Sequence, residues 1–410
     1  MVDLSIANFE GVVIRTPVGS DVVYLIGGEN ICTKPLQPFD EQVCDFLSDL
    51  SKQLATTRAA DENADVNTFG FWCRRRHIDT LKEEHSGGAV RLGRGLMFHI
   101  TPANVPVNFA YSFAFSLLAG NANIIRVPTQ LFPQVDIICR SISDLFERKK
   151  YSELKKMNAF VRYDSDDSIT GNFSSLCDGR IIWGGDQTIQ NIRRISIPAR
   201  SVEITFADRY SFCVMDSEAV VTLGVKDLRE LARRFYNDTY LMDQNACSTP
   251  HLVVWIGPEK EVAKKMFWPA VRDHVKRVYE FDISVSYNKY SQLCHDAINL
   301  DCVTKITRYE NHLYRLAVEK LPLEVDKLRG KYGYFFEHDI DEIDTLVEIV
   351  NHKYQTLTYF GIEENSLRQF VVNNRLLGID RVVPVGRALD MEIVWDGYDI
   401  VRTLSRVIGR

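Results

Sequence analysis

An α/β protein with mostly parallel sheets is predicted by two observations. Short apolar runs alternate with amphipathic helical runs between Leu92 and Val220, and a second alternation of the same kind starts near Leu228. The length of 410 residues divides into two or three domains, and 45% hydrophobic content supplies their cores.

In order along the chain, Gly11 to Gly27 reads as two strands around a Pro17-Val18-Gly19 turn. An amphipathic helix follows, with Val43, Phe46, Leu47, Leu50 and Leu54 on one face. The first alternating set runs LMFHI (strand), FAYSFAFSLLAG (helix), NIIRV (strand), VDIICRSISDLF (helix), NAFVRY (strand), a helix, GRIIW (strand), TIQNIRRI (helix) and VEITF (strand). Such runs imply a parallel sheet covered by helices on both faces. The second set gives helix LRELARRFYN, strand HLVVWIG and helix EKEVAKKMFWPAVRDHVKRV. The expected division is 1–220, then 221–385, then a C-terminal tail 386–410. The tail segment YDIVRTLSRVIGR has helical apolar spacing, with Arg402, Arg406 and Arg410 outward for packing or subunit contact.

Composition excludes several classes. A net charge of -6 with 25% charged residues carries no nucleic-acid tract. Asp3 and Glu10 stand where a signal peptide needs positive charge, and the apolar run Phe109 to Ala119 is too short to span a bilayer. Nine cysteines without a CxxC pair point to a reducing cytoplasm, and no Cys/His spacing suits zinc, so no metal is expected.

Four segments carry candidate chemistry. Cys247 lies in a polar, small-residue loop between a helical pattern and an apolar strand, where a thiol meets substrate; a small buried residue is the alternative reading. In ITPANVP, Pro102 and Pro106 fix a turn that holds Asn104 at a sheet edge, as a donor to a developing oxyanion or simply as an Asx turn or helix cap. In RIIWGGDQTIQNI, Gly184 and Gly185 link a strand to a helix and expose backbone N–H groups to a pyrophosphate, or mark an ordinary helix start. Arg126 ends the strand of NIIRVPTQ at the same predicted edge.

Together these segments resemble the aldehyde dehydrogenase superfamily, with a Rossmann-type cofactor domain and a second α/β catalytic domain. Within it they resemble the acyl-CoA reductase family typified by the reductase subunit of the bacterial-luminescence fatty acid reductase. ITPANVP is similar to the superfamily's PWNFP-type turn, NIIRVPTQ to its strand ending in a basic residue, IIWGGDQTI to its cofactor helix and LMDQNACSTP to its cysteine loop. FADRYS, DQNACSTP, NHKYQTLTYFG and GIDRVVPVGRALDMEIVWDGYD resemble the acyl-CoA reductases specifically.

The resemblance implies that Cys247 is the nucleophile and that Asn104 and the Cys247 backbone N–H hold the oxyanion. It implies a nicotinamide cofactor, with Pro102, Arg126, Thr129, Gly184 and Gly185 as its contacts. The superfamily's water-activating carboxylate has no clear counterpart: Glu203 lies upstream and Asp208 downstream of the corresponding stretch. Thr129 stands near the place where relatives that prefer NAD carry a glutamate, so NADPH is expected ahead of NADH; a helix cap is the other role open to Thr129. The implied partners are an acyl-CoA or acyl-protein donor, with an acyl-activating synthetase as a further candidate, and further copies of this chain in a homo-oligomer.

His352 and Tyr354 fall where relatives place residues near the cleft, while His99 and His251 are expected to be structural. Arg74, Arg75 and Arg76 read as a solvated helix face. Two rival functions stand beside reduction: a cysteine acyltransferase or acyl-phosphate reductase, and a non-catalytic scaffold.

Overall fold

The computed structural model describes residues 13–15, 22–57, 63–85, 87–102, 105–280 and 283–409. The chain divides into two units, Met1–Ala207 with Met391–Arg410, and Asp208–Asp390.

The first unit opens with strands β1 (Val13–Arg15), β2 (Val23–Ile26) and β3 (Asn30–Cys32). The expected Pro17 turn lies outside the described residues. β1 pairs with β3, and β2 instead joins the main sheet, so these strands do not form the simple hairpin the spacing suggested. Helix α1 (Glu41–Thr56) buries Val43, Phe46, Leu47, Leu50 and Leu54 as expected, and Asp40 caps it by accepting the Gln42 N–H. Helix α2 (Ala64–Trp72) ends before α3 (Arg75–His85) begins. Arg75 on α3 pairs with Glu41, Asp45 and Asp79, which commits it to the fold.

Strand β4 (Arg91–Gly93) precedes the parallel strands β5 (Leu96–Ile100), β6 (Ala122–Arg126), β7 (Asn158–Arg162), β8 (Gly179–Trp183) and β9 (Val202–Phe206). Helices α4 (Asn108–Leu118), α5 (Pro133–Phe146), α6 (Ser152–Met157), α7 (Asp167–Leu176) and α8 (Asp186–Arg193) lie between them in the chain. The strand order is β2-β7-β6-β5-β8-β9, with only β2 antiparallel. β5 and β8 are buried throughout, the signature of a sheet covered on both faces. The chain runs outward from β5 through β6 to β7, then returns beyond β5 to β8. A topological switch point therefore falls between β5 and β8, the place where open α/β sheets form ligand crevices.

The second unit starts with β10 (Tyr210–Asp216), α9 (Ser217–Val221), α10 (Val225–Thr239), β11 (Pro250–Ile256), α11 (Lys260–Val278) and α12 (Ile283–Asn299). It continues with β12 (Val303–Tyr309), β13 (Leu313–Val318), β14 (Tyr334–Asp339), β15 (Tyr354–Phe360), α13 (Glu364–Asn373) and β16 (Arg381–Pro384). Its sheet runs β12-β13-β14-β11-β10-β15-β16, parallel except for the β12–β13 pair. Alternation sorts the side chains: Tyr210, Phe212, Val214, Leu252 and Val254 face one core, while Cys213, Met215, Val253 and Trp255 face the core filled by Phe235, Phe267 and Trp268. Burying each such side chain stabilises the fold by about 1.5–3 kcal/mol.

Two boundaries differ from the sequence expectation. β10 is flanked by β11 and β15, so the second unit begins at Asp208 and not near residue 220. After Asp390 the chain rejoins the first unit with β17 (Val394–Trp395), β18 (Tyr398–Asp399), α14 (Ile400–Thr403) and β19 (Ser405–Val407). The tail is thus not one helix. β19 pairs with β4, and Arg91 Nε donates to Ser405 Oγ at 2.8 Å, so strand pairing takes over where helical spacing alone predicted another turn.

Candidate active site

The candidate residues fall into two sets, one in each unit. In the first unit, β5, β6 and β8 all end at one edge of the sheet. Thr101 Oγ1 donates to the Arg126 carbonyl at 2.8 Å and ties the ends of β5 and β6 together. Pro102 follows, half-buried; Asn104 lies outside the described residues. Arg126 is held by its own sheet: its guanidinium donates to the Tyr163 carbonyl at 3.3 Å and stacks 4.4 Å from the Tyr163 ring centroid. Thr129 is exposed. The cap role considered for it does not hold, because the N-cap of α5 is Phe132.

Gly184 and Gly185 follow β8 across the switch point from Pro102. Gly184 N–H donates to the Phe206 carbonyl at 3.1 Å, which fixes the turn, and Gly185 occupies the N-cap of α8 with no side-chain cap. Both glycines have ordinary backbone angles, so conformation is not what favours glycine there. Nor does packing demand it at Gly185: a Cβ there would meet nothing within 4 Å, so the space beside it is open. The open volume lies over a helix start, whose first N–H groups and dipole suit an anionic group. Asp186, the first residue of α8, would repel a phosphate aimed straight at it, so the glycine pair offers room for the pyrophosphate of a dinucleotide only to the side of that carboxylate. Pro102 and the glycine pair flank the same crevice; Arg126 and Thr129 lie one strand further along.

The neighbouring histidine plays no part in this. His99 is buried between Ser112 Oγ (2.8 Å) and Asn123 Oδ1 (3.0 Å), and Ser112 Oγ also accepts Trp183 Nε1–H at 3.0 Å. Burial pushes its pKa down to about 4, so it is a neutral bridge between β5, α4, β6 and β8.

In the second unit, Cys247 sits just ahead of β11, at the edge where the parallel strands begin. Burial pushes the thiols of Cys139, Cys177 and Cys213 up to about 12 and that of Cys44 up to about 11, and raises Cys73 as well. Those sulfurs are packing groups. Cys247 is half-buried on a loop, and no disulfide links any of the nine cysteines.

That loop is held in an unusual shape. Asp243 and Gln244 take left-handed φ values of 52° and 58°, a conformation that side chains resist and that persists only where surrounding contacts enforce it. The contacts are explicit. The buried Gln244 amide donates to the Tyr334 carbonyl (3.1 Å) and accepts the N–H groups of Gly333 (2.7 Å) and Tyr334 (2.9 Å), so it pairs like a short strand with the start of β14. Tyr332 N–H donates to the Asp243 carbonyl at 3.2 Å. Beyond the cysteine, Thr249 N–H donates to the Ala246 carbonyl (3.0 Å) and Thr249 Oγ1 to the Asp238 carbonyl (2.9 Å). Ser211 Oγ donates to the Cys247 carbonyl at 2.7 Å and accepts the Thr356 N–H at 3.1 Å.

Both peptide planes flanking Cys247 are therefore fixed. In a trans peptide N–H and C=O point in opposite directions. Thr249 thus sets the direction of the Cys247 N–H by holding the Ala246 carbonyl.

Most of the remaining polar candidates are committed to the fold. Glu203 pairs with Arg180 and Arg193, and Asp208 with Arg329 at 2.7 Å, so neither carboxylate is poised to activate water. His251 stacks on Tyr210 and bonds through Nδ1 to the Gly330 carbonyl at 3.0 Å; burial pushes its pKa down to about 3. His352 is exposed, and Tyr354 is buried against Tyr210 and Phe212. Asp238, with its pKa raised to about 7 by burial, accepts the N–H groups of Gly386 (2.6 Å) and Ala388 (2.8 Å).

Sequence reasoning missed Ser211, Gln244 and Asp238. The first two lie inside the family-like segments FADRYS and DQNACSTP, and that was their only signal.

Comparison with solved structures agrees on architecture. A salicylaldehyde dehydrogenase from Pseudomonas putida G7 complexed with salicylaldehyde is 12% identical, with a TM-score of 0.64 over 92% of this chain and 86% of that one. An oxidoreductase from Marinobacter aquaeolei is 11% identical, with a TM-score of 0.61 over 96% and 95%. A NAD-dependent benzaldehyde dehydrogenase from Corynebacterium glutamicum is 12% identical, with a TM-score of 0.60 over 89% and 83%. At such identities these likenesses show the fold alone: this chain has the aldehyde dehydrogenase fold. No curated protein matches it. No helix among the described residues is long and apolar enough to cross a membrane. The model of a family described as "Acyl-CoA reductase (LuxC)" matches residues 73–408, and by that match the chain belongs to the acyl-CoA reductase (LuxC) family.

Proposed function

We propose that the protein reduces an acyl thioester to an aldehyde through an acyl group carried on Cys247, using NADPH. Membership of the acyl-CoA reductase family supports the reduction of an acyl group to an aldehyde. The observation that carries the finer reading is the Cys247 loop, where a half-buried cysteine is held between two fixed peptide planes, downstream of the left-handed residues Asp243 and Gln244.

The Cys247 thiolate attacks the thioester carbonyl carbon, the negative charge collects on the carbonyl oxygen, and the original thiol leaves as a thiolate that takes a proton from solvent. The Cys247 N–H, aimed by the Ala246–Thr249 turn, serves the oxyanion, with the Asn104 amide as the second donor. A reduced nicotinamide, when bound, supplies the hydride that the acyl carbon needs. The resulting thiohemiacetal alkoxide re-forms its C=O bond, expels the Cys247 sulfur and releases the aldehyde. With Glu203 and Asp208 both held in ion pairs, neither is left to aim water at the acyl-enzyme, which favours reduction over hydrolysis.

For the cofactor, the Gly185 crevice takes the pyrophosphate. No carboxylate occurs between Arg126 and Asp136 to repel a 2′-phosphate, and Thr129 is there to bond it. The same reading gives a cytoplasmic homo-oligomer that receives its acyl group from coenzyme A or from an acyl-protein partner, such as an acyl-activating synthetase.

The test is turnover. Acyl-CoA plus NADPH should yield aldehyde and NADP in equal amounts, faster than with NADH. Acylation without any oxidation of either nicotinamide would favour the acyltransferase, and neither reaction would favour the scaffold.

A further inference from the structure

We infer that Ser211 is a positioning residue for the acylation half-reaction, acting through the Cys247 carbonyl. The inference rests on the reading of Cys247 as the acyl-carrying nucleophile. Ser211 lies on β10 at a register shift, where the pairing with β11 moves on between Ser211 and Phe212, and the pairing with β15 is irregular over the same stretch. Such an irregularity re-aims a side chain. The hydroxyl is fully buried, and its bonds are directional: it accepts the Thr356 N–H of β15 and spends its only proton on the Cys247 carbonyl. It therefore fastens the residue after which the loop turns into β11 to the adjacent strands β10 and β15.

The other fastenings of the loop act elsewhere. Gln244 grips three residues upstream, and Thr249 holds the Ala246 carbonyl and, through its hydroxyl, helix α10. Ser211 alone of these sets the Cys247–Ser248 peptide. Thr249 does not compensate for its loss, because its N–H holds the Ala246 carbonyl and its hydroxyl the Asp238 carbonyl, which leaves it no donor for the Cys247 carbonyl. Without the hydroxyl the Cys247 carbonyl and the Thr356 N–H both lose a buried partner, and the peptide is left to turn toward another one. Rotation at ψ of Cys247 carries the carbonyl away and lets the loop shift against its side chain. Ser248 and Thr249 swing with it, so the Thr249 N–H loses its aim at the Ala246 carbonyl and the Cys247 N–H turns away from the position in which it serves the oxyanion. A misplacement of this size acts on a reaction that needs the oxyanion donors and hardly acts on one that does not.

Two reactions of the same sulfur separate these cases. Acylation by a thioester builds an oxyanion; alkylation by iodoacetamide does not. The experiment measures both rate constants at Cys247 from the mass of its peptide after quenching and digestion, since other thiols such as the exposed Cys294 also react, without nicotinamide, in the wild-type chain, Ser211→Ala and Ser211→Thr. Ser211→Ala should acylate on the order of 10- to 100-fold more slowly, while its alkylation changes by less than about threefold. Ser211→Thr, which keeps the hydroxyl, should recover most of the acylation rate. These are rate constants of the folded population, so partial unfolding lowers amplitude and leaves them intact. If the alanine variant does not fold, Ser211→Cys, with its weaker donor, should show the same order at smaller amplitude. Equal losses in both reactions, or no loss in acylation, would overturn the inference while leaving Cys247 as the nucleophile. A wild-type chain that alkylates at Cys247 yet takes no acyl group from any thioester would remove the underlying reading as well.

Discussion

The two sheets place their candidate chemistry at opposite ends of their strands. In the first unit Pro102 and Gly184 follow their strands and Arg126 ends its own, at the edge where a helix start and open space make a cradle out of backbone. In the second, Cys247 precedes β11, and side-chain hydrogen bonds force the loop into shape. The contrast is between a crevice set by sheet topology and a loop fastened residue by residue, which suits the cofactor and acyl-carrying roles proposed for them.

The contrast is most easily broken at the sulfur. Cys247→Ala should abolish acyl adduct and lower aldehyde formation at least about a thousandfold, while nicotinamide binding, followed by quenching of reduced-cofactor fluorescence, stays as in the wild type. Loss of both together would mean that the two sets do not work separately.

Next in size is the fastening of the loop. Gln244→Ala leaves the buried N–H groups of Gly333 and Tyr334 without their acceptor and relaxes left-handed backbone, so unfolding in urea should show a loss of about 3 kcal/mol. A variant as stable as the wild type would show that the loop needs no such anchor.

The first unit should respond differently. Gly185→Val puts a side chain into open space without backbone strain, so stability should hold. Nicotinamide affinity should fall by about tenfold while thioester acylation of Cys247 is unchanged. Unchanged affinity would place the cofactor elsewhere.

The smallest effects, taken per unit of pH, concern titration. His251 has a folded pKa lowered to about 3, against an ordinary value of 6.5. Between those values the unfolded chain binds a proton that the folded chain refuses, so stability is lost as pH falls from 6.5 toward 3, by up to about 1.4 kcal/mol per unit. Asp238 titrates the other way. Its folded pKa, raised from 3.8 to about 7, makes the folded chain hold the extra proton, and that contribution is lost as pH rises between those values. Melting temperatures of His251→Asn and Asp238→Asn across pH 4.5 to 8 should diverge from wild type in these opposite directions; parallel curves would show that neither group titrates as its burial dictates.

Much of this was legible in the sequence because it is local. The runs Leu96–Ile100, Ala122–Arg126 and Gly179–Trp183 are strands buried on both faces, and short apolar runs between helical patterns announce such strands. The Gly184–Gly185 turn was legible for the same reason. Neither unit boundary was, since whether Tyr210–Asp216 belongs to the first or second sheet depends on partners at Pro250 and Tyr354, far along the chain. The tail misled for a related reason: its helical spacing is real over Ile400–Thr403, but Arg91 and Leu92 recruit the next residues into a strand. Cys247 stood out by composition. Ser211 and Gln244 did not, because a serine in a strand and a glutamine in a loop acquire meaning only from the carbonyls and N–H groups that tertiary structure brings to them.

The central claim is that Cys247 carries the acyl group which is then reduced. The direct measurement is a single turnover: incubate the protein with an acyl-CoA, remove the excess, record the intact mass, then add NADPH and record it again. An adduct of one acyl mass, absent from Cys247→Ala and lost on addition of NADPH with one equivalent of aldehyde released, is the predicted result. An adduct that NADPH leaves untouched, or aldehyde formed by the alanine variant at the wild-type rate, would contradict it.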